Sequence, residues 1–269
     1  MTTQPLRDGT RPTLAGPTSD PGRPATSATR RLIGTELRLL LRDPLTLTFV
    51  VAFPVVTMLI IGGSFGTTPE RSFGGQNPAH WYVASYFTVV IGATGLIMLP
   101  VHLASYRERG VLRRFAVAGF PRWSFALAQL TVGLVAIAVS CALLLAVAAP
   151  VYGLPAVHDP VRVALGVLAG SVAFVSLGVL LGTVLPSARA AQAVGLLLFF
   201  PSFLLGVGGP PPSVLGSVLR TVSEYLPLAV VTNSVREPWL GLGNGTGPLL
   251  ASTAMAVVAL VLAALRTAL

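Results

Sequence analysis

A chain of 269 residues with 53% hydrophobic side chains, only 10% charged ones and a mean hydropathy of +0.78 has too little polar surface to cover a soluble fold, since an average soluble domain carries roughly 25% charge. Its net charge of +9 is carried by 18 arginines and no lysine, without the interleaved aromatic platforms that single-stranded nucleic acid needs. Composition thus excludes a soluble globular enzyme, argues against a nucleic-acid partner and leaves a membrane protein.

Met1–Thr29 is rich in Thr, Pro, Gly and Arg and has no apolar h-region, so it reads as a disordered cytoplasmic tail with no cleavable signal peptide. Residues 30–269 form the transmembrane domain. In Arg30–Asp43 the apolar positions Leu32, Ile33, Leu37, Leu40 and Leu41 recur at helical spacing among Arg30, Arg31, Glu36, Arg38, Arg42 and Asp43. That pattern predicts an amphipathic helix in the interface, its arginines toward anionic lipid headgroups. Asp43-Pro44 ends it, because proline disfavours helix at the residue before it.

Six uncharged apolar runs follow: Leu45–Gly63, Val83–Leu103, Phe125–Ala149, Val163–Leu185, Ala190–Gly208 and Leu249–Leu265. Each is near the ~20 residues that span hydrocarbon as a helix. Every charged side chain lies outside them, as expected where a charge at the bilayer centre costs about 2.5–3.5 kcal/mol. The expected fold is all-α and integral to the membrane: about six transmembrane helices, an N-terminal interfacial helix, and short re-entrant or interfacial helices before the last span. With both termini in the cytoplasm, fourteen arginines fall inside and four (Arg71, Arg162, Arg220 and Arg236) outside, which satisfies the positive-inside rule.

The second and third spans are joined by residues 104–124, with the core RERGVLRRFAVAGFPRW. It reads either as a solvated topogenic loop or as a docking surface. Glu108 among the arginines favours docking, because topology needs no acid. In the fourth span Gly166, Gly170, Gly178 and Gly182 form one stripe of two GxxxG units, which lets backbones approach closely within the subunit or across a dimer. On the second span Ser85, Tyr86, Thr88 and Thr94 either line a substrate path or cap backbone groups inside the bundle.

Between the fifth and sixth spans, Val214, Leu215, Val218, Leu219, Val222 and Leu226 form an amphipathic stripe up to Pro227, and a half-apolar piece Leu228–Val235 follows, ending in Arg236-Glu237-Pro238-Trp239. Irregular backbone at membrane depth must be shielded by protein or line a wet cavity, so short helices capping the outer side are expected here. Trp81, Tyr82 and Trp239 are expected at the interface.

No catalytic constellation emerges. His80, His102 and His158 fall on two sides of the membrane without HExxH, paired cysteines or DxD, so no metal site is expected. The lone Cys141 reads as a packing residue. No acid lies within a span to relay protons. A Walker A loop needs a lysine to reach the terminal phosphates, so this chain is no P-loop ATPase; no cofactor of its own is expected, and any ATP-driven work must come from another subunit.

Four segments carry a family resemblance: ELRLLLRDPLTLTFVVAFPVVTMLIIG (Glu36–Gly62), YRERGVLRRFAVAGFPRW (Tyr106–Trp123), PSARAAQAVGLLLFFPSFLLGVGGPP (Pro186–Pro211) and YLPLAVVTNSVREPWLG (Tyr225–Gly241). In order and spacing the chain resembles the membrane subunit of ABC-2 type transporters, among them the daunorubicin-resistance class of drug-efflux permeases. The resemblance implies a bacterial inner-membrane permease, paired with a second copy or a paralogue and with two copies of a separate ATPase that binds ATP and magnesium. It implies export of a drug, antibiotic or lipid. It also implies a coupling loop in which Arg107, Glu108, Arg109, Gly110, Arg113 and Arg114 dock on the ATPase, with Glu36, Arg38, Arg42 and Asp43 on the interfacial helix as secondary contacts. An ATP-independent carrier or channel, or a membrane scaffold or immunity protein, remains the alternative.

Overall fold

The computed structural model describes residues 33–39, 42–111 and 122–268. Among these the chain is helical, with one isolated antiparallel bridge between Glu70 and Gln76 and no strand. Three of its long helices start at side-chain caps. Asn77 Oδ1 accepts from Ala79 N–H at 2.9 Å, Asp159 Oδ1 from Arg162 N–H at 3.0 Å and Ser187 Oγ from Ala190 N–H at 3.0 Å. Each satisfies a first-turn donor with no intrahelical partner. Pro78 and Pro160 occupy the first helical position, where a missing N–H costs nothing.

Five helices are long and apolar enough to cross a bilayer: Pro78–Glu108, Leu127–Tyr152, Pro160–Val184, Ala188–Gly206 and Thr246–Arg266. A sixth apolar helix, Thr48–Ser64, continues back through Pro44–Leu47, giving a first span of about 30 Å at 1.5 Å per residue. These are the six runs read from hydropathy, with the second, fourth, fifth and sixth begun two to five residues earlier in the chain. The second span is the longest correction. Its 31 residues make about 46 Å against ~30 Å of hydrocarbon, so its ends stand clear of the apolar layer.

The same second span is the hub of the bundle. Of its most apolar window 89% is buried, against 28% for the fifth span and 22% for the sixth. Those two turn Leu197, Leu204, Leu250 and Val257 outward, which suits acyl chains and would be an aggregation surface in water. The fourth span lies against the hub through its glycines. A Cβ on Gly178 would stand 2.5 Å from Gly95 O, and one on Gly182 would stand 2.7 Å from Leu103 Cβ. Toward the other end, Gly166 lies under Ser234 O and Gly170 under the Val231 side chain. The stripe therefore packs within the subunit, half of it on the second span and half on the helix Pro227–Leu240. Gly95 itself lies against Phe174 O, and Gly195 of the fifth span against Leu96 O.

Two wide turns interrupt the first and second spans. Phe53 N–H bonds to Thr48 O and Leu99 N–H to Thr94 O, five residues back instead of four. In each case a proline follows immediately, Pro54 or Pro100. A proline ring clashes with the carbonyl four residues back and leaves it without a donor, and one extra residue in the preceding turn relieves both problems. The two turns pack on each other, and a cavity of about 20 Å³ between them is lined by Asp43, Thr46, Phe49, Ile97, Met98, Val101 and His102. That is room for about one water.

Between the fifth and sixth spans the chain forms a helical hairpin. Ser217–Tyr225 leads in and Pro227–Leu240 leads out. Leu228, at the bend, meets Gly92 near the middle of the second span, while Gln76 Nε2 donates to Leu240 O (3.1 Å) at that span's beginning. The inward helix leaves Val218 and Tyr225 74% and 80% exposed, an apolar face for lipid. The outward helix is almost wholly buried and runs through Arg236 to Leu240, so the expected end of the half-apolar piece at residue 235 is corrected. The hairpin also corrects the aromatic belt. Trp81, Tyr82 and Trp239 are buried, with Trp239 Nε1 donating to Pro155 O (3.3 Å) and Tyr82 Oη to Gly209 O (3.0 Å). The polar tips of Trp239 and Tyr82 find protein partners in place of headgroups.

Candidate functional site at the arginine-rich end

At one end of the bundle, the start of the first span meets the ends of the second and fourth. The helix over 33–39 carries Glu36 on the same stripe as Ile33 and Leu37, and Glu36 is only 2% exposed. His102 and Tyr106, one turn apart on the second span, both reach Glu36 Oε2 at 3.0 Å. Their rings lie 4.5 Å apart. With the carboxylate oxygen accepting twice, His102 presents the tautomer protonated at Nε2. The carboxylate thus fastens the interfacial helix to the second span.

Asp43 closes the turn that follows. Its Oδ2 accepts from Thr46 Oγ1 at 2.8 Å, a cap on the first span that agrees with the Asp-Pro break. Arg38 and Arg42 are exposed. At the position after Tyr106, Arg107 Nη1 donates to Gly182 O (3.2 Å) and Leu185 O (3.0 Å). It thereby caps carbonyls left unpaired at the end of the fourth span. Glu108 and Arg109 are exposed at the tip. Gly110 turns the chain with φ +68°, a left-handed conformation that favours glycine.

The structure therefore divides the expected docking residues. Arg38, Arg42, Glu108 and Arg109 present charge outward, whereas Glu36 and Arg107 make internal contacts that fix the three helix ends to one another. Arg113 and Arg114 lie outside the described residues. The Glu36–His102–Tyr106 contact was not read from the sequence, although an acid on an apolar stripe was a signal that it had an internal partner.

Ser85, Tyr86, Thr88 and Thr94 are all fully buried. Ser85 Oγ donates to Trp81 O (2.7 Å), Thr88 Oγ1 to Ser85 O (2.6 Å), and Thr94 Oγ1 to Val90 O (2.8 Å). Three of the four hydroxyls are thus satisfied by carbonyls of their own helix. Among the described residues no group of three His, Cys, Asp or Glu is placed to hold a metal ion.

This geometry is that of a helical bundle with arginines clustered at ends tied together by side-chain bonds. The sequence profile of the ABC-2 type transporter family matches residues 27–238, from just before the interfacial helix to the outward arm of the hairpin. The chain belongs to the ABC-2 type transporter family. It is accordingly a multi-pass membrane protein and a permease component of ABC-type transport. No curated protein matches it. The last span lies beyond the matched residues, yet it packs on the fourth span and on the hairpin, so it is part of the same bundle.

Proposed function

We propose that this ABC-2 protein is the membrane-spanning permease subunit of an exporter in the bacterial inner membrane, of the daunorubicin-resistance-like class. It moves a hydrophobic or amphiphilic substrate (drug, antibiotic or lipid) out of the cell. Two copies of a separate ATPase bind ATP and magnesium, and a second permease copy or paralogue completes the membrane path. The arginine-rich end is cytoplasmic, with both termini on that side.

The observation that carries this reading is the second span's projection. The most buried helix of the bundle runs past the hydrocarbon and ends in exposed Glu108 and Arg109. Movement imposed on that tip passes through Arg107 to the fourth span and through Tyr106 and His102 to the interfacial helix. ATP shifts such an assembly only by binding one arrangement better than the other, and a rigid tip at the hub is where that difference would enter. Glu108→Ala, in the complex reconstituted with its ATPase, should insert normally and lower transport-coupled ATP hydrolysis about tenfold, as for loss of one partner in a desolvated interfacial charge pair. Coupling that stays at the wild-type level would remove Glu108 from the docking surface.

A further inference from the structure

Arg236 sits in the outward arm of the hairpin, on the end of the bundle away from the arginine-rich tip, and is 5% exposed. Its Cζ lies 3.8 Å from the centroid of the Trp81 ring. Nη1 donates to Ser85 Oγ (3.3 Å) and Nη2 to Asn233 Oδ1 (2.6 Å), while Nε has no partner. Among the described residues no carboxylate pairs with it. The neighbouring acid, Glu237, lies against Gly243. The contrast with the surface of the same end is informative. Arg162 pairs with Asp159 at 3.3 Å and Arg220 with Glu224 at 3.4 Å, both exposed where ion pairs contribute little. The buried guanidinium, which most needs a counter-charge, has no carboxylate in ion-pair contact among the described residues.

A purely structural role would not require a charge. Two helices can be held together at such a place by neutral polar or apolar side chains without the desolvation cost. A guanidinium keeps its proton in proteins even when buried, so Arg236 is charged at neutral pH. An ionised side chain kept inside a membrane protein without its counter-ion marks a path for a charged group. The polar groups continue inward from it. Ser85 touches the guanidinium, and one turn deeper Thr88 and Thr232 meet across the helix pair at 2.7 Å. This seam joins the second span to the hairpin, and the hairpin's inward arm faces lipid through Val218 and Tyr225.

We infer that Arg236 is the anion-receiving group of a substrate site in the seam between the second span and the hairpin, and that the transported amphiphile bears an acidic headgroup, phosphate or carboxylate. The apolar body would lie toward the lipid-facing side and the oxyanion would take the guanidinium's free donors as a charge-assisted pair. This rests on the permease reading for transport, but binding itself requires no ATPase.

The test uses the full chain with Trp123→Phe, in phosphatidylcholine nanodiscs, so that Trp81 and Trp239 alone report. Decyl phosphate should change their fluorescence saturably, with affinity about tenfold above that of decylphosphocholine. Arg236→Gln should erase this preference and Arg236→Lys should keep part of it. Equal affinity for the two headgroups in the wild-type chain overturns the proposal without reference to any variant. So does an undiminished preference in Arg236→Gln. Saturation by inorganic phosphate at the same concentrations would mark a free-anion site and overturn the amphiphile assignment. Failure of this assay leaves the ATPase partnership untouched, and absence of an ATPase leaves the binding result standing.

Discussion

Gly178→Leu is expected to abolish the folded bundle. A Cβ at this position would stand 2.5 Å from Gly95 O and 3.0 Å from Leu99 Cβ, and the obstacle is backbone on the opposing helix, which has no rotamer to move. Retreat of the second span is resisted by the fifth, whose Gly195 lies against Leu96 O, and the contact with the fourth is close in both directions, since Gly95 in turn lies against Phe174 O. Overpacking in a filled core costs about 1–3 kcal/mol, and here three helices meet at one level, so a cost at or above the top of that range is expected. In membranes, where lipid is as apolar as the side chains, close packing is what holds helices together. Gly247→Leu is the control, since nothing lies within 4 Å of a Cβ there. Detergent-solubilised Gly178→Leu should lose its monodisperse elution peak or its thermal transition, with Gly247→Leu unchanged. Equal behaviour of the two would contradict the packing.

Glu36→Ala carries the second large effect. The carboxylate is the shared acceptor of His102 and Tyr106. Removing it takes the shared acceptor from both side chains in a site that is nearly dry on the Glu36 side, at about 1–3 kcal/mol. The interfacial helix then loses its side-chain tie to the second span. Glu36→Gln keeps an acceptor oxygen and should recover most of the loss. Glu36→Leu combined with His102→Leu should destabilise less than Glu36→Ala, because both polar partners of that pair are removed together. Thermal unfolding of the three variants beside wild type reads this directly. A Glu36→Ala midpoint equal to wild type would mean that the contact is not maintained in the membrane.

Span number, order and class were legible because one force decides them. A bilayer tolerates few charges, so hydropathy marks where the chain may cross. Span ends were less legible, since hydropathy stops at the first polar residue while the helix runs on to its cap. Asn77-Pro78 starts the second span five positions ahead of the apolar run, and Tyr106 to Glu108 extend it beyond His102 because a helix does not need apolar residues once it leaves the lipid. The Asp43-Pro44 break and the glycine stripe could be read locally. Which helix the stripe would meet could not, because spacing within one helix says nothing of its neighbour.

The candidate sites show the same division. Charges that face water, such as Glu108 and Arg109, are visible as a polar run. Charges that face protein look identical in sequence. Glu36 was grouped with the outward charges of its helix, and Arg236 was counted only for topology, although one holds two helices and the other lies buried over Trp81. In hindsight each carried a cue: Glu36 stands at helical spacing between Ile33 and Leu37, and Arg236 follows an apolar stretch with no acid four residues before it. The tight bond between Thr88 and Thr232 links positions far apart in the chain and had no local signature at all.

The most direct test of the central claim is to purify the tagged chain from its native membranes and identify by mass spectrometry what accompanies it. A near-stoichiometric ATPase bearing a Walker A lysine, lost when residues 104–124 are replaced by a neutral linker, is the predicted result. The chain emerging alone, or with the same ATPase after that replacement, would contradict the account at the partner or at the docking end.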